Sequence, residues 1–198
     1  MPAPRSSVAE RYTRAATLTL AEAYRHCTGF EVALCAGCHV GVWPKMLAEK
    51  FAKVFTFEPD PVNVECAKRN LDGLENVTLM EVALSDKSGP RGWERSNSNT
   101  GKHRLSPDGK GETVCAIEID SLDLYACNLI TLDVEGHEMF ALKGAAHTIE
   151  RFRPVVLFED NGRCRKYGVA SDAVQQWLAQ RGYSEAASVF DDRIWTVA

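Results

Sequence analysis

The sequence predicts an α/β fold in which helices cover both faces of a parallel, doubly wound sheet. From residue 30 onward, short apolar runs alternate with stretches of helical periodicity, which is the pattern of strands joined by crossover helices. The pattern changes only at the end, where residues 183–190 and 193–197 flank Asp191 and Asp192 and predict an antiparallel hairpin. We therefore expect one sheet that ends in an antiparallel pair.

Length and composition restrict the class of protein. The chain has 198 residues, which suits one domain, and 45% of them are apolar and 25% charged. The net charge of −4 argues against a nucleic-acid-binding surface, and no apolar run is long enough to span a bilayer. The seven cysteines are an odd number in mostly apolar surroundings, which is typical of reduced thiols. We therefore expect a cytoplasmic protein with no nucleic-acid partner and no membrane association.

The predicted elements follow in order along the chain. Residues 6–27 form a leading helix that Ser6 or Ser7 caps, so we assign residues 1–29 to an N-terminal helical extension and residues 30–198 to a single globular domain. Runs rich in Val, Ile, Leu and Phe predict strands at residues 30–36, 54–58, 77–84, 112–119, 129–134 and 154–158. Apolar residues spaced by three or four predict helices at residues 42–53, after the capping Asp60, at 136–151, and between the capping Ser171 and Gly182.

One segment does not fit this alternation. Residues 85–111 are rich in Gly, Ser, Asn, Lys and Arg, and about 27 residues are too many for an ordinary connection. The segment is therefore either functional or partly folded as a hairpin.

The turn after the first strand is the first candidate for a ligand site. In a doubly wound sheet, ligands bind at the carboxyl ends of the strands where the strand order reverses. Gly37 suits a tight turn there and Gly41 allows close packing of helix on strand, while the amides at the start of the helix suit a carboxylate or phosphate. The spacing is GxxxG rather than GxGxxG, which counts against the pyrophosphate of a dinucleotide.

Glu58 ends the second strand, 17 residues after Gly41. A carboxylate there offers two acceptor oxygens to the two hydroxyls of a ribose. Loop glycines and an exposed Glu are each common by themselves, but their occurrence at the ends of successive strands points to a ligand that carries adenosine.

Three motifs lie at the ends of predicted strands: Glu58-Pro59-Asp60-Pro61, Ala83-Leu84-Ser85-Asp86 and Asp133-Val134-Glu135-Gly136-His137-Glu138. Residues 30–160, which contain them in this order, resemble the FkbM-type family of class I S-adenosylmethionine (SAM)-dependent methyltransferases. The resemblance implies a Rossmann-like fold, a seven-stranded sheet of order 3-2-1-4-5-7-6 with a C-terminal antiparallel hairpin, and usually O-methylation.

The resemblance also implies which residues hold the cofactor. They follow the strand ends: Gly37, Cys38, His39 and Gly41 at the methionine end, Glu58 at the ribose, Pro59 and Ala83 at the adenine, and Asp133 beside the sulfonium. The sequence departs from the family at Cys35, where an acid that helps to bind the ammonium group of SAM commonly sits. A neutral thiol does not supply that charge.

A group of polar residues follows the strand at 129–134. Asp133 could act near the methyl group or deprotonate an alcohol acceptor, with Glu135 or His137 as alternative bases. Glu135 and Glu138 could instead simply complement the dipole at a helix N-terminus. Carboxylates with one histidine also suit Mg²⁺ or Mn²⁺, so a divalent metal is possible, but the resemblance requires none and we predict none.

Two basic loops follow strand ends on the same side and could steer an anionic or glycan-like acceptor. Their cations are Arg91, Arg95, Lys102, His103 and Arg104 in one loop and Arg163, Arg165 and Lys166 in the other. Basic loops are often merely solvated. Glu159, at the end of the strand before the second loop, likewise suits either a functional or a solvated position.

Two other interpretations remain open at this point. Residues 35–39 form a C-x-x-C-H motif, which is typical of c-type haem attachment or, as Cys35 and Cys38 alone, of a dithiol redox site. The missing acid at Cys35 also suits a methyltransferase-like binding module that has lost catalysis.

The predicted function is therefore SAM-dependent methyl transfer, with S-adenosylhomocysteine (SAH) as product, to a hydroxyl of a small-molecule or glycan acceptor such as a sugar or natural product. The candidate catalytic residues are Asp133, Glu135 and His137. The leading helix precedes the first strand, and we expect it to close over the cofactor as a lid. Nothing in the sequence indicates the oligomeric state.

Overall fold

Eleven strands form two sheets in the computed structural model, which describes residues 7–197 apart from the side chains of Val8 and Ala9. The strands are β1 (Val32–Ala36), β2 (Lys53–Phe57), β3 (Val77–Met80), β4 (Ala83–Leu84), β5 (Gly89–Glu94), β6 (Arg104–Leu105), β7 (Glu112–Ile117), β8 (Leu129–Leu132), β9 (Val155–Glu159), β10 (Tyr183–Val189) and β11 (Asp192–Val197). Seven of them form the main sheet in the order β3-β2-β1-β8-β9-β11-β10. Counted along these seven strands alone, the order is 3-2-1-4-5-7-6, so the predicted Rossmann-like fold class is confirmed.

Six α-helices of the described residues pack around the sheets: α1 (Val8–Tyr24), α2 (Val42–Ala48), α3 (Pro61–Asn70), α4 (Glu138–Lys143), α5 (Ala146–Phe152) and α6 (Ala173–Ala179). Ser7 caps α1, because its hydroxyl accepts a hydrogen bond from Glu10 N at 3.1 Å and its own N–H donates to the Glu10 carboxylate at 2.7 Å. Ser7 is thus confirmed as a cap, whereas the alternative, Ser6, lies outside the described residues. No helix of residues 7–197 is both long and apolar enough to cross a membrane.

The C-terminal hairpin closes one edge of the main sheet. Strand β11 is antiparallel to both β10 and β9, and its first residue, Asp192, lies opposite Glu159, the last residue of β9. The turn is formed by Phe190 and Asp191, with Phe190 at φ +55°. Asp192, expected in the turn, is instead part of the strand because it pairs with β9.

The polar segment at 85–111 contributes to a second sheet of order β4-β7-β5-β6. The predicted strand at 77–84 is therefore wrong as a single element, since the chain leaves the main sheet after Met80 and β4 pairs with β7. The expectation of a partial hairpin is confirmed, because β5 pairs antiparallel with β6 and β7. The sheet has its own small apolar core of Ala83, Trp93, Leu105 and Ala116.

Two predicted helices are wrong in length. The helix expected at 42–53 ends at Ala48, and the chain then enters β2 beside β1, with Ala52 N–H donating to Phe30 O at 2.8 Å. The helix expected at 136–151 is two helices, α4 and α5. The carboxylate of Asp120 accepts hydrogen bonds from His147 N and Thr148 N at 3.0 and 2.8 Å, so it satisfies amides that a continuous helix would bond internally.

The N-cap position of α6 also differs from the prediction. Asp172 occupies it, not Ser171, and no side-chain hydrogen bond caps this helix.

The two faces of the main sheet carry separate apolar cores. Along β1, Val32, Leu34 and Ala36 pack in the core that includes α4, α5 and α6, while Ala33 and Cys35 pack in the core beneath α1 and α2. All five residues of β1 are buried, as expected for the central strand of a doubly wound sheet. The side chain of Cys35 therefore belongs to the α1 and α2 side of the sheet.

Candidate functional site

A cavity of about 660 Å³ opens at the carboxyl ends of the central strands, where the strand order reverses between β1 and β8. Its size is that of a small-molecule site. Eight of the predicted site residues line it: Gly37, His39, Glu58, Pro59, Ala83, Asp133, Glu135 and His137. The other two, Cys38 and Gly41, do not line it.

The turn after β1 forms the floor of the cavity. Gly37 has φ +83°, and a Cβ there would lie 2.0 Å from Asp133 O, so the floor requires glycine. Gly41 has φ +94° and faces Leu71 at the end of α3, where a Cβ on Gly41 would lie 3.2 Å from Leu71 Cγ. Cys38 is buried in the same small cluster as Leu71. Gly41 and Cys38 therefore pack against Leu71 and support the turn without lining the cavity.

Glu58, just after β2, is held by the backbone on both carboxylate oxygens. His39 N donates to Oε2 at 2.8 Å, and Asp60 N donates to Oε1 at 2.9 Å. Burial raises the pKa of Glu58 to about 7, although these hydrogen bonds act in the opposite direction. Asn63 Nδ2 also lies 3.5 Å from Oε1, so the carboxylate is fixed in its orientation and Oε2 keeps a lone pair for a second donor.

The second sheet supplies an apolar wall beside Pro59. Ala83, Trp93 and Leu105 all line the cavity and pack in one cluster. Trp93 is 6% exposed, and its ring lies edge to face with that of His103 at a centroid distance of 6.2 Å. This wall suits a flat base such as adenine.

A group of three carboxylates, which we call the acid group, lies at the ends of β8 and β9 and consists of Asp133, Glu135 and Glu159. One oxygen of each lies within 4.8 Å of the others. Arg163 Nη1 lies 2.8 Å from Glu135 Oε2 and 3.1 Å from Glu159 Oε2. Burial raises the pKa of Asp133 well above its usual range, and the charge of Glu159 adds to this effect.

The acid group has a spacing that could hold a divalent cation. The guanidinium of Arg163, however, already supplies a positive charge to two of its three members. His137, the predicted nitrogen donor, does not belong to the group.

The turn that carries Glu135 has an unusual backbone. Glu135 has φ +58° and Gly136 φ +104°, and a Cβ on Gly136 would lie 2.7 Å from backbone atoms of Arg163. Glu138 Oε1 accepts hydrogen bonds from Val134 N at 3.2 Å and Gly136 N at 3.1 Å. Glu138 therefore stabilises the turn, which holds Glu135 at the cavity.

His137 is a buried, neutral ring. Its Nε2 lies 3.0 Å from Ser85 Oγ, which donates its one proton to Asp86 Oδ1 at 3.1 Å, so Nε2 must carry the hydrogen of the imidazole. The ring stacks on Phe140 at a centroid distance of 4.5 Å. Burial lowers the pKa of His137 to about 4. Its Nδ1 keeps a lone pair that accepts no hydrogen bond from any described residue.

The loop between β5 and β6 is hydrogen-bonded to residues close to Glu58. Arg95 Nε donates to Asp60 Oδ2 at 2.7 Å, and Thr100 Oγ1 lies 2.8 Å from His39 Nε2. Thr100 O also accepts a hydrogen bond from Asn63 Nδ2 at 3.4 Å. Burial would raise the pKa of Asp60, but the hydrogen bond from Arg95 lowers it below its usual range. The second sheet is therefore tied to the residues around Glu58.

Helix α1 reaches the cavity from the other side. Tyr12 and Thr13 line it, and the buried Thr19 donates a hydrogen bond to Asp192 Oδ2 at 3.0 Å. This placement is consistent with the expected lid.

The basic loops contribute unequally to the site. Four of their cations line the cavity, namely Lys102, His103, Arg104 and Arg163, together with Glu159. Four do not line it, namely Arg91, Arg95, Arg165 and Lys166.

The two cysteines of the C-x-x-C-H motif are not arranged for redox chemistry. Cys35 and Cys38 are buried in different apolar clusters. Burial raises the pKa of Cys35 to about 11 and also raises that of Cys38, so both are protonated thiols at neutral pH. Neither lines the main cavity. The structure therefore favours neither haem attachment nor a dithiol site.

Comparison with known proteins agrees with this architecture. The Methyltransferase FkbM domain matches residues 36–185. Hexuronic acid methyltransferase AglP of Haloferax volcanii is 29% identical over 126 residues, which are 61% of this chain and 52% of that protein. 2-O-methyltransferase NoeI of Sinorhizobium fredii is 29% identical over 128 residues, 52% of this chain and 51% of that protein. The chain thus spans about half the length of the curated relatives it matches.

Solved structures support the fold. Methyltransferase FkbM from Methylobacillus flagellatus KT superposes with a TM-score of 0.53 at 16% identity, covering 84% of this chain and 43% of that one. An rRNA methylase from Streptococcus thermophilus superposes with a TM-score of 0.55 at 11% identity, covering 91% and 94%. The match to the family extends over most of the chain, and this protein belongs to the FkbM methyltransferase domain family.

Proposed function

We propose that this protein transfers a methyl group from SAM to a hydroxyl of a sugar-containing acceptor. Membership of the family implies SAM as the methyl donor. The observation that carries the proposal is that Glu58 and the acid group face one cavity at the switch point of the sheet. Such a cavity suits a ligand that joins a ribose to a positively charged sulfonium and amino acid.

The residues of the cavity fit this cofactor, which when bound supplies a methyl group activated by a sulfonium. Glu58 would accept hydrogen bonds from the ribose hydroxyls, since both its oxygens are already oriented by backbone amides. Gly37 would leave the floor open for the methionine end. Pro59, Ala83 and Trp93 would pack on the adenine.

Within this proposal, Glu135 takes the proton of the acceptor hydroxyl. It lines the cavity, and burial raises its pKa, which makes it a stronger base than an exposed Glu. Arg163 binds one of its oxygens and keeps the carboxylate oriented. Asp133 would face the cationic end of the cofactor. The single lone pair of His137 is at its buried Nδ1, so His137 would not take the proton of the acceptor. These two predicted catalytic residues would therefore shape the field at the methyl group.

The acceptor is proposed to be a sugar with an acidic group. Lys102 lies on the cavity wall without an ion pair among the described residues and would attract an anionic acceptor. Arg104 and Arg163 also line the cavity, but they pair with Glu94 and with Glu135 and Glu159. The two curated relatives are described as a hexuronic acid methyltransferase and a 2-O-methyltransferase, and a hexuronic acid carries both hydroxyls and a carboxylate.

The acceptor class is tested by methyl transfer from SAM with a labelled methyl group. The panel contains a hexuronic acid, the corresponding neutral hexose, glycans that contain each of them, and a catechol as a non-sugar alcohol. We expect label in the sugars, with the uronate preferred over the neutral hexose. Label in the catechol alone would contradict the sugar assignment, and equal labelling of uronate and hexose would contradict the role of the cations.

A second candidate, a binding module without catalysis, is favoured by Cys35 alone. It predicts SAH binding with no methyl transfer to any acceptor and no slow conversion of SAM to SAH. Slow conversion of SAM in the absence of an acceptor would exclude it.

A further inference from the structure

The methionine end of the cavity carries more negative charge than its cations balance. Arg163 pairs with Glu159, but neither Asp133 nor Asp192 forms an ion pair within the described part of the chain. Burial raises the pKa of Asp133 well above its usual range and that of Asp192 to about 6. Two such carboxylates are costly to ionise unless a bound cation compensates them.

A small void lies between these two carboxylates. It measures about 10 Å³ and is bordered by Cys35, Gly37, Trp43, Asp133 and Asp192, among others. Gly37 and Asp133 also line the main cavity, so the void adjoins it. The small side chain of Cys35 forms part of its lining, and its volume suits a group the size of one water molecule.

Asp192 is fixed in place at this void. As the first residue of β11 it lies opposite Glu159 on β9. Its Oδ2 accepts the hydrogen bond from Thr19, a fully buried residue of α1. The other oxygen, Oδ1, remains available for a further donor.

We propose that Asp192 and Asp133 together bind the ammonium group of SAM in the void beside Cys35, so that strand β11 supplies the negative charge that residue 35 lacks. An ammonium is a cation of about the size of a water molecule with three N–H donors, which matches both the charge and the volume of the site. This inference rests on the proposed function, since it requires SAM as the ligand.

The test compares two ligands by calorimetry. SAH carries the ammonium, whereas 5′-methylthioadenosine has the same adenosine and a thioether but lacks both the ammonium and the carboxylate. The substitution Asp192→Asn keeps the shape of the side chain and can still accept the hydrogen bond from Thr19. We expect it to weaken SAH binding by about tenfold or more and to leave 5′-methylthioadenosine binding unchanged.

Two further variants isolate the charge. Asp191→Asn removes the same charge from the exposed turn one residue away, and we expect it to change neither affinity. Cys35→Asp combined with Asp192→Asn returns a carboxylate to the other side of the void, and we expect it to restore part of the preference for SAH.

A third variant keeps both acids and removes the space between them. Cys35→Val, a smaller enlargement that the packed core tolerates better than a longer side chain, fills the void. We expect it to weaken SAH binding without affecting 5′-methylthioadenosine, so the inference can be tested even if Asp192→Asn does not fold. Thermal unfolding shows that each variant is folded.

The outcomes separate this inference from the proposed function. An unchanged SAH affinity in Asp192→Asn, or an equal loss for both ligands, would overturn the role of Asp192 while leaving the cofactor site intact. If the native protein bound neither ligand, the proposed function itself would fail, and the inference with it.

Discussion

The two ends of the site, namely the ribose end of the cavity and the void that adjoins its other end, hold carboxylates in opposite ways. Glu58 accepts a backbone hydrogen bond on each oxygen and needs no further partner to be oriented. At the other end, Asp133 and Asp192 have no cationic partner among the described residues. On the proposed function, one end is therefore formed before any ligand arrives, whereas the other is completed by the cationic end of SAM. The predictions below test this contrast, beginning with the largest effect.

The largest effect is expected at the incomplete end. Asp133→Asn removes a charge beside the expected sulfonium, so we expect turnover to fall by at least about a hundredfold with the fold retained. Steady-state kinetics and thermal unfolding measure this, with the exposed Asp72→Asn as the matched control. Turnover close to that of the native protein would remove Asp133 from the functional residues.

At the preformed end, we expect a loss of affinity. Glu58→Ala removes the acceptor for both ribose hydroxyls, and SAH binding should weaken by about 1.5–3 kcal/mol, the range for hydrogen bonds to a charged group. Calorimetry measures the change directly. An affinity equal to that of the native protein would rule out the ribose assignment.

The preformed end also depends on the second sheet. Arg95→Gln breaks the ion pair with Asp60 and so loosens the loop between β5 and β6, which lines the cavity. We expect SAH binding to weaken by about three- to tenfold. Arg91→Gln, in the same sheet, removes a side chain that donates to Lys87 O and does not line the cavity. If both variants behaved alike, the ion pair with Asp60 would have no specific role.

The smallest effect is a pH dependence of the ligand-free protein. Burial raises the pKa of Glu58 and Glu138 to about 7 and that of Asp192 to about 6, so the folded state holds protons that the unfolded chain has lost above about pH 4.5. Their contribution to stability is present at low pH and is lost as the pH rises to about 7. His137, with a pKa lowered to about 4, acts in the opposite direction below about pH 6.5.

Burial also raises the pKa of Asp133, Glu135 and Glu159 and lowers that of His39. Because the acids with a raised pKa outnumber the histidines with a lowered one, we expect a lower melting temperature at pH 7.5 than at pH 5.5. SAH should reduce the difference, since its ammonium compensates the ionised acids. A melting temperature that rises over this range would show that these groups are not titrating as the structure indicates.

The sequence predicts the central part of the fold and one end of the site. Buried parallel strands are continuous apolar runs, and Glu58 and Asp133 stand directly at strand ends, so their convergence follows from the topology alone. The second sheet was not foreseen, because β4 and β6 have two residues each and β5 contains Gly89, Pro90 and Gly92. Its one large aromatic, Trp93, was the available signal that the polar segment folds against the cavity.

Asp192 was also missed as a site residue, for a different reason. In the sequence it is one of two adjacent acids in an apparent turn, far from the first strand. The predicted strand order nevertheless implies its position, since an antiparallel strand beside β9 must begin at the carboxyl end of β9. A difference of one residue in the turn decides whether this acid lies in the exposed turn or at the void beside Cys35.

The central claim, that this cavity is a SAM site, is tested most directly by calorimetric titration of the purified protein with SAH, with NAD as the negative control. We expect a micromolar dissociation constant for SAH, about −8 kcal/mol, and no binding of NAD. Absence of SAH binding, or equal binding of NAD, would contradict it.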